Sequence, residues 1–305
     1  MRTHIIIHVL PHEINLFEYQ SFELRKNSKY LEKSDEIVID ATLNINKIDW
    51  SKSKIEKQYF IDRFEKIRTI CDWATTTYFE IDDSDKCLGS NDKRRSAVKN
   101  FASSCDNFIY LDNDMFYPNT TLKYIIEAAK SIKNKYYVIS PQSTKLWDDS
   151  WNVIVNDYYI NLKVNDLRDI DPFEIYTTDY GDIEIIPLAG FKFGMGWFNM
   201  VSSNLSDYIK IPDSFGPYGI DDSFMMEACA IMKTLKMDVQ QYVIKNLVVS
   251  QCYKFDFLSK IYLNQLSFDL SSNKHAVEDI KLSTYTNECL NFLEKCKQAI
   301  IHNIH

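Results

Sequence analysis

Phe108-Ile109-Tyr110-Leu111-Asp112-Asn113-Asp114-Met115 is an apolar run that ends abruptly in two carboxylates one residue apart. Four successive apolar residues suit a strand in a sheet covered on both faces. In open α/β sheets the ligand crevice lies outside the carboxyl ends of the strands. Acids in that position are poor core residues, because a buried carboxylate needs a counter-charge, hydrogen bonds or a metal. Hard divalent cations are held by one or two carboxylates, phosphate oxygens of a ligand and water. The stretch therefore predicts a parallel strand running into a site for a metal and a phosphorylated ligand.

Working outward, Ile5 to Leu10 is β-branched and predicts a first parallel strand, followed by Pro11-His12-Glu13. Leu16 to Tyr30 predicts a helix and Glu36-Ile37-Val38-Ile39-Asp40 a second strand that ends in an acid. Apolar positions at 55, 59, 60, 64, 67, 70 and 71 have helical periodicity up to Trp73. Thr75 to Ile81 reads as a third strand, and a helix follows Asn91 and runs to about Ser104 before the strand that carries Asp112. Beyond it come a helix over Leu122 to Ile132 and a strand from Tyr136 to Ser140. This alternation predicts an α/β fold with a mostly parallel sheet, and a largely helical stretch from about residue 255.

Composition sets limits. The 305 residues, 45% hydrophobic and 26% charged, are ordinary for one globular unit, with no linker or low-complexity tract. A net charge of −8 argues against a nucleic-acid partner, which would require a basic face. Seven scattered cysteines without a C-x-x-C pair suit reduced, buried thiols in a cytoplasmic protein. The apolar N-terminal run is too short for a signal peptide or a membrane span.

Three further stretches bear on chemistry. In Asn91-Asp92-Lys93-Arg94-Arg95, the helical face of Val98, Phe101 and Cys105 also carries Arg94, one turn earlier. Cations at a helix N-terminus suit anions, so Arg94 and Arg95 are candidate ligand contacts. In Ile211 to Phe224, Gly216, Pro217 and Gly219 shape a loop ahead of the acid pair Asp221-Asp222 and an apolar helical run. One Asp caps a helix, and the second is left to be explained. Leu188 to Phe198 concentrates three of the seven glycines beside Trp197, a candidate close-approach wall.

Together these pieces resemble the GT-A-fold glycosyltransferases, particularly inverting enzymes of the broad family-2 type. Leu111-Asp112-Asn113-Asp114 resembles the family's D-x-D motif, the basic helix from Asp92 the segment before it, and Gly219-Ile220-Asp221-Asp222 its acidic base motif. The resemblance covers roughly residues 3 to 250. It implies a transferase domain over 1–254, with a nucleotide-sugar half (1–118) and an acceptor half (119–254), and a helical extension over 255–305.

The site it implies has Mn²⁺ or Mg²⁺ on Asp114 and Asp112, and a base at Asp222 or Asp221. Asp112, Asp40 and Glu13 would contact a UDP- or GDP-linked sugar. The acceptor would be a glycan, a lipid-linked glycan or a protein, reached from the cytoplasm or from the membrane periphery without an integral span. No His falls between 230 and 270 to add a metal ligand. A nucleotidyltransferase would carry a glycine-rich basic loop after its first strand, and Leu10 to Asn15 has neither feature. A non-catalytic nucleotide- or glycan-binding protein is the other alternative.

Overall fold

The computed structural model describes residues 1–84, 89–147, 152–155, 184–191, 198–215, 221–252, 261–268 and 282–302. The run before Asp112 is a strand buried along its whole length, β4 (Asn107–Leu111). It pairs in parallel with β1 (Arg2–Val9), which pairs with β2 (Glu36–Asn44), which pairs with β3 (Thr76–Asp82). On its other side β4 meets β9 (Phe198–Ser202) antiparallel. Then come β6 (Tyr136–Trp147) and β10 (Val239–Cys252), parallel to each other, with β9 antiparallel to β6 as well.

The order is β3-β2-β1-β4-β9-β6-β10-β5, where β5 is Met115–Phe116. Short antiparallel partners, β7 (Asn152–Val155) and β8 (Glu184–Pro187), lie on β6 and β10. The expected mostly parallel α/β sheet is present. The reversed strand β9, set into its middle, was not foreseen.

Both faces are covered, which explains why the strands read as unbroken apolar runs. Side chains alternate across a strand. Ile5, Ile7, Ile37, Ile39, Ile109 and Leu111 face one core, under α1 (Ile14–Ser28), α2 (Lys57–Arg68) and α4 (Thr121–Ser131). Ile6, Phe108, Tyr110 and Val201 face the other. That second core lies under α3 (Ser90–Phe101), α5 (Ser203–Ile209), α6 (Asp221–Thr234) and α7 (Leu282–His302). Phe17, Phe60 and Phe64 have no exposed surface, and such burial stabilises by about 1.5–3 kcal/mol per side chain.

The C-terminal stretch divides its packing between the two cores. Phe292 and Cys296 of α7 enter the second. Residues 261–268 instead fold over the first half: Tyr262 and Leu266 join its core, and Phe268 bridges Ile48. The Tyr262 hydroxyl lies 2.6 Å from that of Tyr59 on α2. No described helix is long and apolar enough to cross a membrane.

Candidate functional site

At the carboxyl end of β4 the chain turns through Asp112-Asn113-Asp114 with the middle residue inward and the acids half-exposed. Asn113 is the anchor. Its side-chain amide donates to the His8 carbonyl (2.8 Å) and to the Glu13 carboxylate (3.3 Å). Its own carbonyl accepts from the Gln20 amide at 3.0 Å. Gln20, fully buried on α1, also donates to the Met115 carbonyl, and its oxygen accepts from the Tyr117 hydroxyl at 2.8 Å. The turn is thus fastened from below, and the two acids that flank its anchor stay half-exposed.

Glu13 closes the 3-10 turn Pro11–Glu13 after β1 and accepts from the Leu10 amide at 3.0 Å. Burial pushes its carboxyl up to about 7 against those two hydrogen bonds. Its bond from Asn113 ties this 3-10 turn to the turn that carries Asp112 and Asp114.

Three consecutive cations on α3 go to three different walls, as 100° per residue dictates. Lys93 turns to β2 and β3, with its ammonium 2.5 Å from Asp40 and 3.6 Å from Glu80. Arg94, 6% exposed, lies 3.5 Å from Asp112 and 4.9 Å over the Tyr110 ring. Arg95 donates to the carbonyls of Pro212 (2.9 Å) and Phe215 (3.2 Å) and pairs with Asp92 and Asp213.

Of the two expected anion contacts, Arg94 faces the acid turn. Arg95 is a clamp on the segment leading to α6. The expected strand end at Asp40 is corrected: β2 continues to Asn44, so Asp40 lies inside the strand, 1% exposed and paired with Lys93 of α3. Its hidden position follows from Lys93, which a strand-by-strand reading does not see.

Asp221 and Asp222 begin α6, where acids complement the helix dipole. Their side chains, Gly216 to Ile220 and Lys192 to Trp197 lie outside the described residues. The approach to α6 is held by Arg95 on one side and by α7 on the other, where the Ser214 hydroxyl donates to Glu288 at 2.6 Å.

The sequence reading missed His8 and Lys47. Lys47 is 3% exposed just beyond β2, and its charge reaches His8, as do those of Arg94 and Lys93. Burial first, then these three cations, lower the His8 pKa to about 3. Burial similarly lowers His4, whose ring packs against Phe101 at 4.7 Å, to about 4. The signal was present: His4 and His8 alternate with the isoleucines of β1 and so had to face α3.

A pH dependence follows. Both imidazoles are neutral when folded and take up protons near pH 6.5 when unfolded, so their contribution is complete above pH 6.5 and is lost as pH falls toward 4. Glu13 works the other way: its raised pKa lets the folded state keep a proton that the unfolded chain releases above about 4.5. Between pH 5 and 6 these three groups should take up about one proton net on unfolding, and about two in Glu13→Gln. Urea titrations across pH check this; equal slopes for the two proteins would refute it.

Among the described residues no three His, Cys, Asp or Glu side chains gather to hold a metal ion. Two half-exposed carboxylates nevertheless fit a hard cation that completes its shell with phosphate and water. Asp112 lies 3.5 Å from Arg94, which holds one of the two acids in place.

No protein-family model matches the chain, and no curated protein matches it in sequence. Solved structures do match it. The chain is similar to S. aureus TarS 1-349, 12% identical over 96% of this chain and 72% of that one, with a TM-score of 0.48. It is similar to TarS 1-349 in complex with UDP-GlcNAc at 11% identity, over 98% and 81% of the two chains, with a TM-score of 0.47. A third similar structure is glucosyl-3-phosphoglycerate synthase from Mycobacterium tuberculosis, in complex with Mn²⁺, UDP and phosphoglyceric acid. There the identity is 10%, over 85% and 75%, with a TM-score of 0.42.

Proposed function

We propose that the chain is a GT-A-type glycosyltransferase that moves a sugar from a UDP- or GDP-linked donor to an acceptor hydroxyl, with inversion and with Mn²⁺ or Mg²⁺. The observation that best supports this reading is the half-exposed pair Asp112 and Asp114, held at the carboxyl end of β4 beside buried cations. Buried Lys47 and Arg94 add positive charge near that edge for the anionic part of a nucleotide. A metal held by Asp114 and Asp112 would act there as a Lewis acid on the diphosphate.

The chain's own residues do the rest. Arg94 orients Asp112, and the network through Gln20, Asn113 and Glu13 sets the turn. Asp222 takes the proton of the acceptor hydroxyl as its oxygen bonds to the anomeric carbon. The bond from that carbon to the diphosphate breaks on the opposite side, and inversion results. Asp221, one residue earlier at the same helix start, is the alternative base. Glycan, lipid-linked glycan and protein hydroxyls all suit this chemistry.

Thermal stabilisation by UDP, GDP and CMP, each with and without Mn²⁺, tests the reading, together with donor hydrolysis. Metal-dependent stabilisation by a nucleoside diphosphate is expected; a response to nucleoside triphosphates alone would point to a nucleotidyltransferase. Asp222→Asn should lower transfer by about 10²–10⁴-fold, the usual worth of a general base, while UDP still binds. Full transfer by Asp222→Asn would remove it from the mechanism.

A further inference from the structure

At the carboxyl ends of β1, β2 and β4 the chain continues into the turn Pro11–Glu13, residues 45–54 and the acid turn. The first and third are joined by the bond between Glu13 and Asn113. The first and second are joined by Phe268, which comes from far along the chain. Its backbone bridges Ile48, the neighbour of buried Lys47. Its ring meets that of His12, the neighbour of Glu13, edge to face at 5.2 Å.

The segment that carries Phe268 is anchored without it. Tyr262 and Leu266 are buried in the first core. The Tyr262 hydroxyl lies 2.6 Å from that of Tyr59 and accepts from Arg63 at 2.9 Å. Backbone bonds then run to the loop after β2. The Asp49 amide donates to the Ser267 carbonyl at 2.7 Å, and the Lys54 amide to that of Gln265 at 2.8 Å. The Ser267 amide donates to the Ser53 hydroxyl at 3.0 Å. Phe268, half-buried, reaches past this loop to His12.

A 3-10 turn of three residues has too few hydrogen bonds to fix its own position. Pro11–Glu13 therefore takes its position from its neighbours, the acid turn against Glu13 and Phe268 against His12. An edge-to-face pair of rings attracts beyond the area it buries and favours one relative orientation.

We propose that Phe268 is a positioning residue for the nucleotide. It holds the His12 turn and the Lys47 loop at the separation that a bound nucleoside diphosphate requires, so donor affinity depends on it and the chemical step does not. This rests on the transferase reading of the edge that carries Asp112 and Asp114.

Calorimetric titration of the full chain with UDP and with GDP, each with Mn²⁺, tests this, beside the kinetics of donor hydrolysis. The nucleotide that the parent binds should bind Phe268→Ala about tenfold more weakly, an ordinary coupling between separate sites. KM for the donor should rise by the same factor with kcat unchanged, because the lost support serves ground state and transition state alike. Phe268→Tyr keeps the ring and should bind as the parent does. Tyr262→Phe removes the hydroxyl bonds to α2, and should lower the melting temperature while leaving affinity as it was. Coupling is reciprocal, so the nucleotide should slow hydrogen exchange at the Asp49, Lys54 and Ser267 amides of the unaltered chain by up to about tenfold.

Parental affinity in Phe268→Ala would overturn the proposal. So would an equal loss in Phe268→Tyr, an equal loss in Tyr262→Phe, a fall in kcat with KM unchanged, or amide exchange that the nucleotide does not slow. A parent chain that binds neither nucleotide sinks the transferase reading and this proposal with it. Nucleotide binding that is the same in the parent and in Phe268→Ala sinks this proposal alone.

Discussion

Asp114→Ala is expected to abolish the Mn²⁺-dependent part of UDP binding and to lower transfer by about 10³-fold or more. A Lewis-acid contribution of several kcal/mol corresponds to that factor at 1.36 kcal/mol per decade. Asp114 is half-exposed in a turn whose anchor is Asn113, so the fold should be little disturbed. Unfolding free energy should stay within about 0.5 kcal/mol of the parent, as for most surface substitutions. Asp112→Ala offers the contrast, because it also removes the partner of a buried guanidinium and should cost both binding and stability. If Asp114→Ala keeps full metal-dependent binding while Asp112→Ala loses it, the ligand is Asp112.

The second large effect is on stability. Lys93→Met should destabilise the chain by about 3–5 kcal/mol, because it strands a charge that the fold has taken out of water. The Asp40 side chain is 1% exposed and that of Lys93 is 6% exposed. Burial already pushes the Asp40 carboxyl above its usual range, with Lys93 the main opposing influence. Against a typical total of about 5–15 kcal/mol, the loss would leave the variant marginal. The double change Asp40→Leu with Lys93→Met should recover most of it, since an apolar pair of similar volume avoids desolvating two ions. Guanidinium chloride unfolding of the parent and the two variants decides the matter: a loss below about 1 kcal/mol in the single variant would mean that water reaches the pair.

Much of this was legible in the sequence, because the signals are local. The strands that became β1 to β4 show apolar runs, and α2 and α4 show a 3.6-residue period. The turn at Asp112 was legible because carboxylates after such a run need a reason to be there. What stayed hidden depends on partners far along the chain. Asp40 looks like a strand end until Lys93, fifty-three residues later, is seen to cover it. Arg95 looks like Arg94 until the Pro212 carbonyl is seen to claim it. Five-residue β9 gives too little pattern to announce that it runs backwards between β4 and β6. Residues 261–268 carry no local mark of their pairing with the segment after β2.

The fan of Lys93, Arg94 and Arg95 has a consequence for how this chain can change over generations. Each can be exchanged separately, and each exchange disturbs one wall. A single residue inserted or deleted at the start of α3 is different, because it rotates the following residues by about 100° and redirects all three cations at once. Asp40, Asp112 and the segment before α6 would lose their partners in one event. The length of the first turn of α3 ahead of Lys93 should therefore be held far more tightly among descendants of this chain than the identity of any residue within it.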